Sequence, residues 1–283
     1  KGGSAPDQRL RHAVRHRVRR QPAGIGLRKQ GGQARADGIH LHEQCSALPT
    51  GTAGIYVDHA GRNSIVIGAG ANAALSPAFI ESQRTQIEAS AVVLAQLESP
   101  IDAVAAALRI ARARGVLTLL NPAPANVVVP PELWTDVDVA TPNETEFCAH
   151  LARDCGEVMD PDLLGACEDA ELHSVCRRWQ PAATVVVTLG ASGCFISHPA
   201  GNLRGDTAQH YRVPAAAVVP VDTTGAGDAF NGALAASLAR APGRPFLDHV
   251  RFAGAYAGVS TEHAGAAISM PHADEVERRF GPF

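Results

Sequence analysis

The sequence predicts an α/β fold in which a mainly parallel sheet is covered by helices on both faces. Two observations lead to this class. Short continuous apolar runs alternate along the chain with segments of helical length, which is typical of buried parallel strands joined by helices. The chain has 283 residues, of which 46% are hydrophobic, and so it can bury a substantial core.

The first two predicted strands stand on either side of a turn. Thr52–Val57 and Ser64–Ile67 are rich in β-branched and apolar residues, and residues 58–61 between them include Asp58 and Gly61. They predict a hairpin or a pair of neighbouring strands. Such a pair needs a partner surface to be stable.

Four buried strands and five helices are predicted after residue 90. The strands are the apolar runs Ala91–Leu97, Val116–Leu120, Val137–Ala140 and Thr184–Leu189. The helices are Ile101–Arg114, Glu144–Leu151, Leu163–Trp179, Ala226–Ala239 and Leu247–Glu262. Gly115 is placed to end the first helix, and Asn143 is placed as the N-cap of the second.

Charge and composition exclude several classes of partner. The formal net charge is −3, which gives no reason to expect binding to nucleic acid or to an anionic membrane. No apolar run approaches the roughly 20 residues of a membrane helix. The six cysteines form no C-x-x-C pair, and their scattering fits a reducing cytosol. The histidines lack metal-ligand spacing and are expected at the surface or in loops.

The first 36 residues differ from the rest of the chain because they are basic and lack apolar periodicity. One interpretation is an arm that binds a polyanion, and the other, which we prefer, is a disordered or damaged terminus. Against the single acid Asp7 stand the basic residues Lys1, Arg9, Arg11, Arg15, Arg17, Arg19, Arg20, Arg28, Lys29 and Arg35.

The segment Val221–Leu234 (VDTTGAGDAFNGAL) carries the strongest chemical signal. Gly225, Ala226 and Gly227 precede or begin a predicted helix, where unpaired N–H groups and the helix dipole favour an anion. Asp228 follows directly and is placed to take a proton from an attacking hydroxyl. The alternative is that Asp228 merely complements the helix dipole and the glycines only tighten the loop.

The stretch from Asp222 to Gly232 closely resembles the second signature of the PfkB carbohydrate kinase family. Further segments match the family in order, and two of them, NPAPA and TPNETE, look most like those of ribokinases. The matching segments are Pro49–Gly51, Gly70–Pro77, Gln96–Glu98, Asn121–Ala125 (NPAPA), Thr141–Glu146 (TPNETE) and Thr188–Gly193. The resemblance covers about residues 37–280.

The resemblance implies a ribokinase-like three-layer α/β/α sandwich with a small β-strand lid, and an ATP-dependent sugar kinase. It implies Asp228 as the general base and Gly225, Ala226 and Gly227 as the anion hole. The expected reaction phosphorylates the 5-hydroxyl of D-ribose. The alternatives are another sugar or nucleoside kinase of the family, or a catalytically impaired remnant that still binds nucleotide.

The resemblance also assigns a sugar contact and part of the nucleotide site. Glu98 is expected to bind the sugar, although an exposed Glu after a strand is usually only solvated. Asn143 is expected at the nucleotide phosphates and Glu146 at Mg²⁺ through water. The alternative for Asn143 and Glu146 is a pair that caps the helix.

The remaining nucleotide contacts implied by the resemblance are Thr188, Gly190, Gly193 and Asn231. Gly190 and Gly193 could instead form only a β-turn. Asn231 could instead be a solvated or locally bonded residue of the helix. Each of these alternatives stays open on the sequence.

A monovalent cation site for K⁺ is implied at Asp222 and Thr224, together with a later loop that contains Gly265 and Ser269. Oxygen ligands suit such a hard cation. The segment Thr261–Ala267 is longer than the usual family form, which leaves the ligands in this loop open.

The resemblance divides the chain into an atypical segment, residues 1–36, and a kinase domain, residues 37–283, with lid strands at about 50–68. Family members begin with a strand that carries a sugar-binding Asp, followed by a GGKGAN-like stretch. Here Lys1 and Gly2 are followed by unrelated sequence until about Ala36–Ile39. We therefore expect residues 3–36 to be a corrupted reading. A cytoplasmic homodimer paired through the lid strands is expected.

Overall fold

The computed structural model describes residues 23–25, 41–43, 48–49, 51–57 and 63–283. The predicted basic segment, apart from residues 23–25, and the turn at residues 58–61 lie outside the described residues. The prediction of a disordered or damaged terminus is therefore not tested.

Ten strands in the described residues form three sheets. In chain order they are β1 (Ala23–Ile25), β2 (Leu41–Glu43), β3 (Thr52–Val57), β4 (Asn63–Gly68), β5 (Val92–Ala95), β6 (Leu117–Leu120), β7 (Val139–Ala140), β8 (Thr184–Thr188), β9 (Cys194–Ser197) and β10 (His210–Val213). β1 and β2 form one antiparallel pair, and β3 and β4 form another. The other six strands form the central sheet in the order β10-β9-β8-β7-β6-β5.

Helices flank this sheet, and four short 3-10 helices connect them in the described part of the chain. The α-helices are α1 (Pro77–Ser82), α2 (Arg84–Glu88), α3 (Ile101–Ala113), α4 (Pro131–Trp134), α5 (Glu144–Cys155), α6 (Asp169–Trp179), α7 (Ala226–Arg240), α8 (Phe246–Ser260) and α9 (Ala273–Phe280). The 3-10 helices are Gly70–Ala74, Pro161–Ala166, Gly190–Ser192 and Ala267–Ser269. Among the described residues, no helix has the length and apolarity needed to cross a membrane.

The central sheet is parallel from β5 to β8, and β9 and β10 extend it in antiparallel fashion. Successive side chains of a strand point to opposite faces of the sheet, so each buried strand contributes side chains to the core on either face. Leu120 packs into a core beneath α5 and α6, whereas the adjacent Leu119 packs into the core beneath α7 and α8. This explains the continuous apolar strands and gives the predicted three-layer α/β/α arrangement.

The hairpin of β3 and β4 forms a separate sheet beside this core. β3 has the predicted bounds, and β4 extends one residue further at each end than predicted. The two strands pair antiparallel, with Gly54 opposite Val66. Val66 is 64% exposed and Ile67 is 54% exposed, so this strand pair presents apolar side chains to solvent.

The prediction of one helix from Leu163 to Trp179 is wrong. A 3-10 helix ends at Ala166, and α6 begins at Asp169 after a break. Arg212 of β10 reaches into this break. Its guanidinium donates to the carbonyl of Cys167 at 2.6 Å and to the carboxylate of Asp169 at 2.6 Å, so a contact from a distant strand separates the two segments.

The expectation that the histidines lie at the surface or in loops is wrong for His150 in α5 and His249 in α8, which are buried, whereas His198 is buried but lies in the loop after β9. Each buried ring has a hydrogen-bond partner. His198, for example, lies 3.0 Å from the carboxylate of Asp206. Burial lowers the pKa of all three rings and so favours the neutral form.

Candidate active site

Three neighbouring parallel strands end in polar side chains at the same edge of the central sheet. Gln96 follows β5, Asn121 follows β6 and Thr141 follows β7. Backbone hydrogen bonds join these ends, because the N–H of Asn121 donates to Ala95 at 2.9 Å and that of Thr141 donates to Leu120 at 3.0 Å. Ligands of open α/β sheets bind beyond such carboxyl ends, so this edge is the candidate site.

The turn that precedes α7 is closed by its own groups. Asp222 Oδ1 accepts the N–H of Thr224 at 2.9 Å, and the carbonyl of Thr223 accepts the N–H of Ala226 at 3.1 Å. Gly225 has a φ of 81°, a left-handed conformation that favours glycine, and it directly precedes α7.

Two of the three predicted anion-hole N–H groups are available in this geometry. The turn uses the N–H of Ala226, which differs from the prediction. Gly225 and Gly227 donate to no backbone acceptor among the described residues. A Cβ added at Gly227 would find no heavy atom within 4 Å. The space above Gly227 is therefore open to a ligand.

Asp228 lies in the first turn of α7, and its Oδ1 accepts a hydrogen bond from Gln96 Nε2 at 3.2 Å. Although Asp228 is exposed, the neighbouring protein partly desolvates its carboxylate and so raises its pKa. The hydrogen bond from Gln96 partly opposes this rise in pKa. Partial burial, and then the negative charge of Asp228, also raise the pKa of Glu98. The structure thus brings the predicted base and the predicted sugar contact together.

A chain of side-chain amides leads inward from Asp228. Gln96 Nε2 also donates to Asn121 Oδ1 at 3.1 Å, and Asn121 Nδ2 donates to the carbonyl of Thr141 at 2.7 Å. No motif in the sequence predicts this connection. The only sequence signal is that Gln96 stands near the end of one predicted strand, Ala91–Leu97, and Asn121 directly after another, Val116–Leu120.

Asn231 continues the same network inside the protein. Thr141 donates its hydroxyl to Asn231 Oδ1 at 2.6 Å, and Asn231 Nδ2 donates to the carbonyl of Gly227 at 2.9 Å. Asn231 is 5% exposed, and both ends of its amide bond protein groups. The structure places it as a brace of the first turn of α7, which is closer to the locally bonded alternative than to a nucleotide contact.

Asn143 and Glu146 form the capping box that the sequence offered as the alternative. Asn143 Oδ1 accepts the N–H of Glu146 at 2.8 Å, and Glu146 Oε2 accepts the N–H of Asn143 at 2.9 Å. In the part of the chain that the structure describes, Asn143 Nδ2 donates no hydrogen bond to another protein group. Burial raises the pKa of Glu146, while the hydrogen bond from the N–H of Asn143 and the nearby side chain of Asn121 oppose the rise.

Thr188 ends β8 next to this cap, since its N–H donates to Pro142 at 2.9 Å and it forms a bridge with Asn143. Gly190 begins a short 3-10 helix with a φ of 50°, and its carbonyl accepts the N–H of Gly193 at 3.1 Å, which is the hydrogen bond of the turn that the sequence offered as the alternative. At position 193 the backbone itself requires glycine. Its φ is 86°, and an added Cβ would lie 2.0 Å from the carbonyl oxygen of Val213.

The four residues predicted at the cation site are also brought together. Asp222 Oδ2 accepts the N–H of Gly265 at 2.8 Å, and Ser269 donates its hydroxyl to the carbonyl of Gly265 at 2.6 Å. The hydrogen bonds from Gly265 and Thr224 lower the pKa of Asp222 and keep it ionised. The described residues contain no cluster of three or more His, Cys, Asp and Glu side chains that could hold a metal ion.

Residues 33–273 match the family model described as pfkB family carbohydrate kinase. The chain belongs to this family. It is 34% identical over 244 residues to a ribokinase of Haemophilus influenzae, which covers 84% of this chain and 71% of that protein. It is 37% identical over 226 residues to a ribokinase of Mus musculus, which covers 79% of this chain and 64% of that protein.

Solved structures of PfkB-type kinases have the same fold. The ribokinase of Thermotoga maritima superimposes with a TM-score of 0.67 at 31% identity, covering 82% of this chain and 69% of that one. The ribokinase of Arabidopsis thaliana, solved with ribose and ATP, gives a TM-score of 0.69 at 26% identity over 82% of this chain and 69% of that one. The predicted ribokinase-like fold and the predicted class, a phosphotransferase acting on a sugar hydroxyl, are confirmed.

Proposed function

We propose that this chain is an ATP-dependent ribokinase, which transfers the γ-phosphoryl group of ATP to the 5-hydroxyl of D-ribose. The names of its relatives and the NPAPA and TPNETE segments support this choice within the family. One structural observation carries the proposal. Asp228 directly follows Gly227 and lies three residues after Gly225, and the N–H groups of both glycines are free to bind an anion at the positive end of α7.

Asp228 is the general base of the proposed reaction. It takes the proton of the sugar hydroxyl while that oxygen forms a bond to the γ-phosphorus, and the bond to the bridging oxygen breaks so that ADP leaves. The N–H groups of Gly225 and Gly227 stabilise the charge on the transferring group, and one such donor contributes about 3 kcal/mol. Glu98 binds a hydroxyl of the sugar.

The nucleotide is proposed to lie along the ends of β7 and β8, where Asn143, Thr188, Gly190 and Gly193 surround its phosphates. Asn143 keeps Nδ2 outside the capping box and can donate it to a phosphate oxygen. Glu146 would hold Mg²⁺ through water. Burial disfavours its charged form, so a nearby cation fits this carboxylate. The ion, when bound, neutralises phosphate charge.

A monovalent cation such as K⁺ is proposed at Asp222, Thr224, Gly265 and Ser269. Oxygen atoms of these residues form the donor set that a hard cation prefers. The observed bond between Asp222 and Gly265 fits the assignment, because it already ties the turn before α7 to the later loop. The cation would neutralise the charge of Asp222 close to the anion hole.

The domain limits, the assembly and the location belong to the same proposal. Residues 37–283 are proposed as the kinase domain, with β3 and β4 in the lid, and residues 1–36 as an atypical basic segment. The exposed Val66 and Ile67 of β4 support a homodimer paired through these strands. The cysteines that the structure describes are all free, which supports a cytoplasmic location.

The decisive experiment measures ADP release with D-ribose for the native chain and for Asp228→Asn. The substitution should lower kcat by about 10² to 10⁴ because it removes the base and keeps the shape of the side chain. A panel of sugars and nucleosides is measured in parallel. A strong preference for another acceptor, such as fructose or adenosine, would replace ribose in the proposal.

Asp102→Asn is the matched control. Asp102 also lies in the first turn of a helix, α3, so its loss removes the same kind of helix-dipole interaction. It should leave kcat unchanged. If both variants keep the native rate, Asp228 only complements the helix dipole and the proposed mechanism is wrong.

A further inference from the structure

Gln96 lies between the proposed base and the interior of the protein, and the roles assigned above do not use it. Its amide nitrogen is 3.2 Å from Asp228 Oδ1 and 3.1 Å from Asn121 Oδ1. Both of these atoms are acceptors. The two N–H groups of one amide therefore hold one oxygen of the carboxylate against the end of β6.

The orientation of the Gln96 amide is fixed by the residues behind it. The carbonyl of Thr141 can only accept, so Asn121 must turn Nδ2 towards it, and this bond is 2.7 Å long. Asn121 Oδ1 then faces Gln96 and requires a donor. Rotating the Gln96 amide by 180° would place its oxygen against both Asn121 Oδ1 and Asp228 Oδ1, which is repulsive at both contacts.

The same Asn121 side chain also lies near the carboxyl group of Glu146 and opposes the rise in its pKa that burial causes. Asn121 is 7% exposed, so its amide is held in the interior rather than by solvent. The orientation of Gln96 is thus set by a buried group that contacts both the carbonyl end of β7 and the start of α5. Because both ends of the Asn121 amide are hydrogen-bonded, Asn121 favours one orientation of the Gln96 amide.

We propose that Gln96 is a positioning residue for phosphoryl transfer, which holds Oδ1 of Asp228 through its amide and so leaves Oδ2 for the proton of the sugar hydroxyl. The inference rests on the proposed role of Asp228 as the base. Gln96 touches no reacting atom in this arrangement and acts only through Asp228.

Two effects follow from the geometry. A donor to a carboxylate favours its charged form, and Gln96 indeed opposes the rise in the pKa of Asp228 that partial burial causes. Glu98 also faces this pair, and its pKa is raised by partial burial and then by the charge of Asp228. Removing the donor at Gln96 should therefore raise the pKa of Asp228 further, because Glu98 remains beside it and the hydrogen bond that favours its charged form is lost.

The test compares Gln96→Met, which keeps the length of the side chain and removes the donor, with Gln96→Glu, which keeps the shape and adds a negative charge. The pKa of Asp228 is measured by carboxyl ¹³C NMR, with the signal assigned through Asp228→Asn. We expect the pKa to increase in the order native, Gln96→Met, Gln96→Glu, with a rise of about half a unit to one unit for Gln96→Met. Gln86→Met on the exposed face of α2 is the control and should titrate as the native chain does.

Kinetics with ribose and ATP provide the second readout. The acidic limb of the kcat/KM profile should move to higher pH by the same amount as the pKa of Asp228, and kcat at pH 7 should fall about tenfold, with KM for ATP unchanged. A purely structural role would lower the amount of folded protein without moving the profile.

The two proposals fail in different ways. If the native chain does not phosphorylate ribose, the proposed function is wrong, and the NMR titration still decides the role of Gln96. If the pKa of Asp228 is the same in the native chain, Gln96→Met and Gln96→Glu, the positioning role is overturned. Glutamate has the same shape as glutamine, so the pKa of Asp228 can still be measured in Gln96→Glu if Gln96→Met fails to fold.

Discussion

Gly227→Ala should stabilise the protein and inactivate it. Gly227 lies inside α7 with an ordinary helical φ, and an added methyl group would meet no heavy atom within 4 Å. Alanine is favoured over glycine in a helix by about 0.8–1 kcal/mol, somewhat less in the first turn. For a chain of this size that gain corresponds to a rise in Tm of about 2–4 °C.

The same methyl group would project into the space where the transferring phosphoryl group is proposed to lie. The backbone N–H of residue 227 remains, but the methyl group would hold the phosphoryl group away from it. Losing the contact with one donor in such a site costs about 3 kcal/mol, which corresponds to a fall in kcat of about 100-fold. Thermal unfolding followed by circular dichroism measures the first effect, and ADP release with ribose measures the second. Stability and activity should therefore change in opposite directions.

Gly232→Ala is the matched control, because Gly232 lies in the same helix and an added Cβ there also meets nothing within 4 Å. It should raise Tm by a similar amount and leave kcat unchanged. Equal activities in the two variants would refute the placement of the phosphoryl group above Gly227. A lower Tm for Gly227→Ala would instead refute the reading of this position as unstrained helix.

Two further predictions concern stability alone. Gly193→Ala should lower the free energy of unfolding by several kcal/mol and reduce the yield of folded protein, because the new Cβ would lie 2.0 Å from the carbonyl oxygen of Val213. Gly190→Ala makes no such contact and should fold, so equal Tm values for the two variants would contradict this prediction. Arg279 lowers the pKa of Glu262 to about 2 from its usual 4.5, so this pair contributes stability above pH 4.5 that is lost as the pH falls towards 2. Arg279→Gln should therefore flatten the loss of unfolding free energy over that range in urea titrations, and an unchanged slope would rule the pair out as a source of acid sensitivity.

The strands were predictable because their signal is local. β3 follows from six consecutive residues, and the four parallel strands follow from apolar runs that must be buried on both faces. The break before α6 was not predictable in the same way. It depends on Arg212, which lies more than 40 residues further along the chain and reaches the break only because β10 packs at the edge of the sheet beside it.

The cap at α5 shows why some functional assignments stay open on sequence alone. The spacing of Asn143 and Glu146 fits a capping box and a phosphate and magnesium site equally well, and the structure forms the box. The two interpretations do not exclude each other, because the box uses only Oδ1 of Asn143 and Oε2 of Glu146 among their side-chain atoms. Capping also holds both side chains at the strand ends, which a binding role would require.

The polar network around Asp228 could not have been derived from any motif. Gln96, Asn121 and Thr141 are about 20 to 25 residues apart and meet only because β5, β6 and β7 pair in parallel and end at one edge of the sheet. Asn231 joins them from α7, one helical turn beyond Gly227. The family signature contributes the carboxylate and the glycines, whereas the orientation of that carboxylate is set by strand ends that belong to other motifs. A variant that breaks this network should therefore change the chemistry of Asp228 while leaving the signature itself intact.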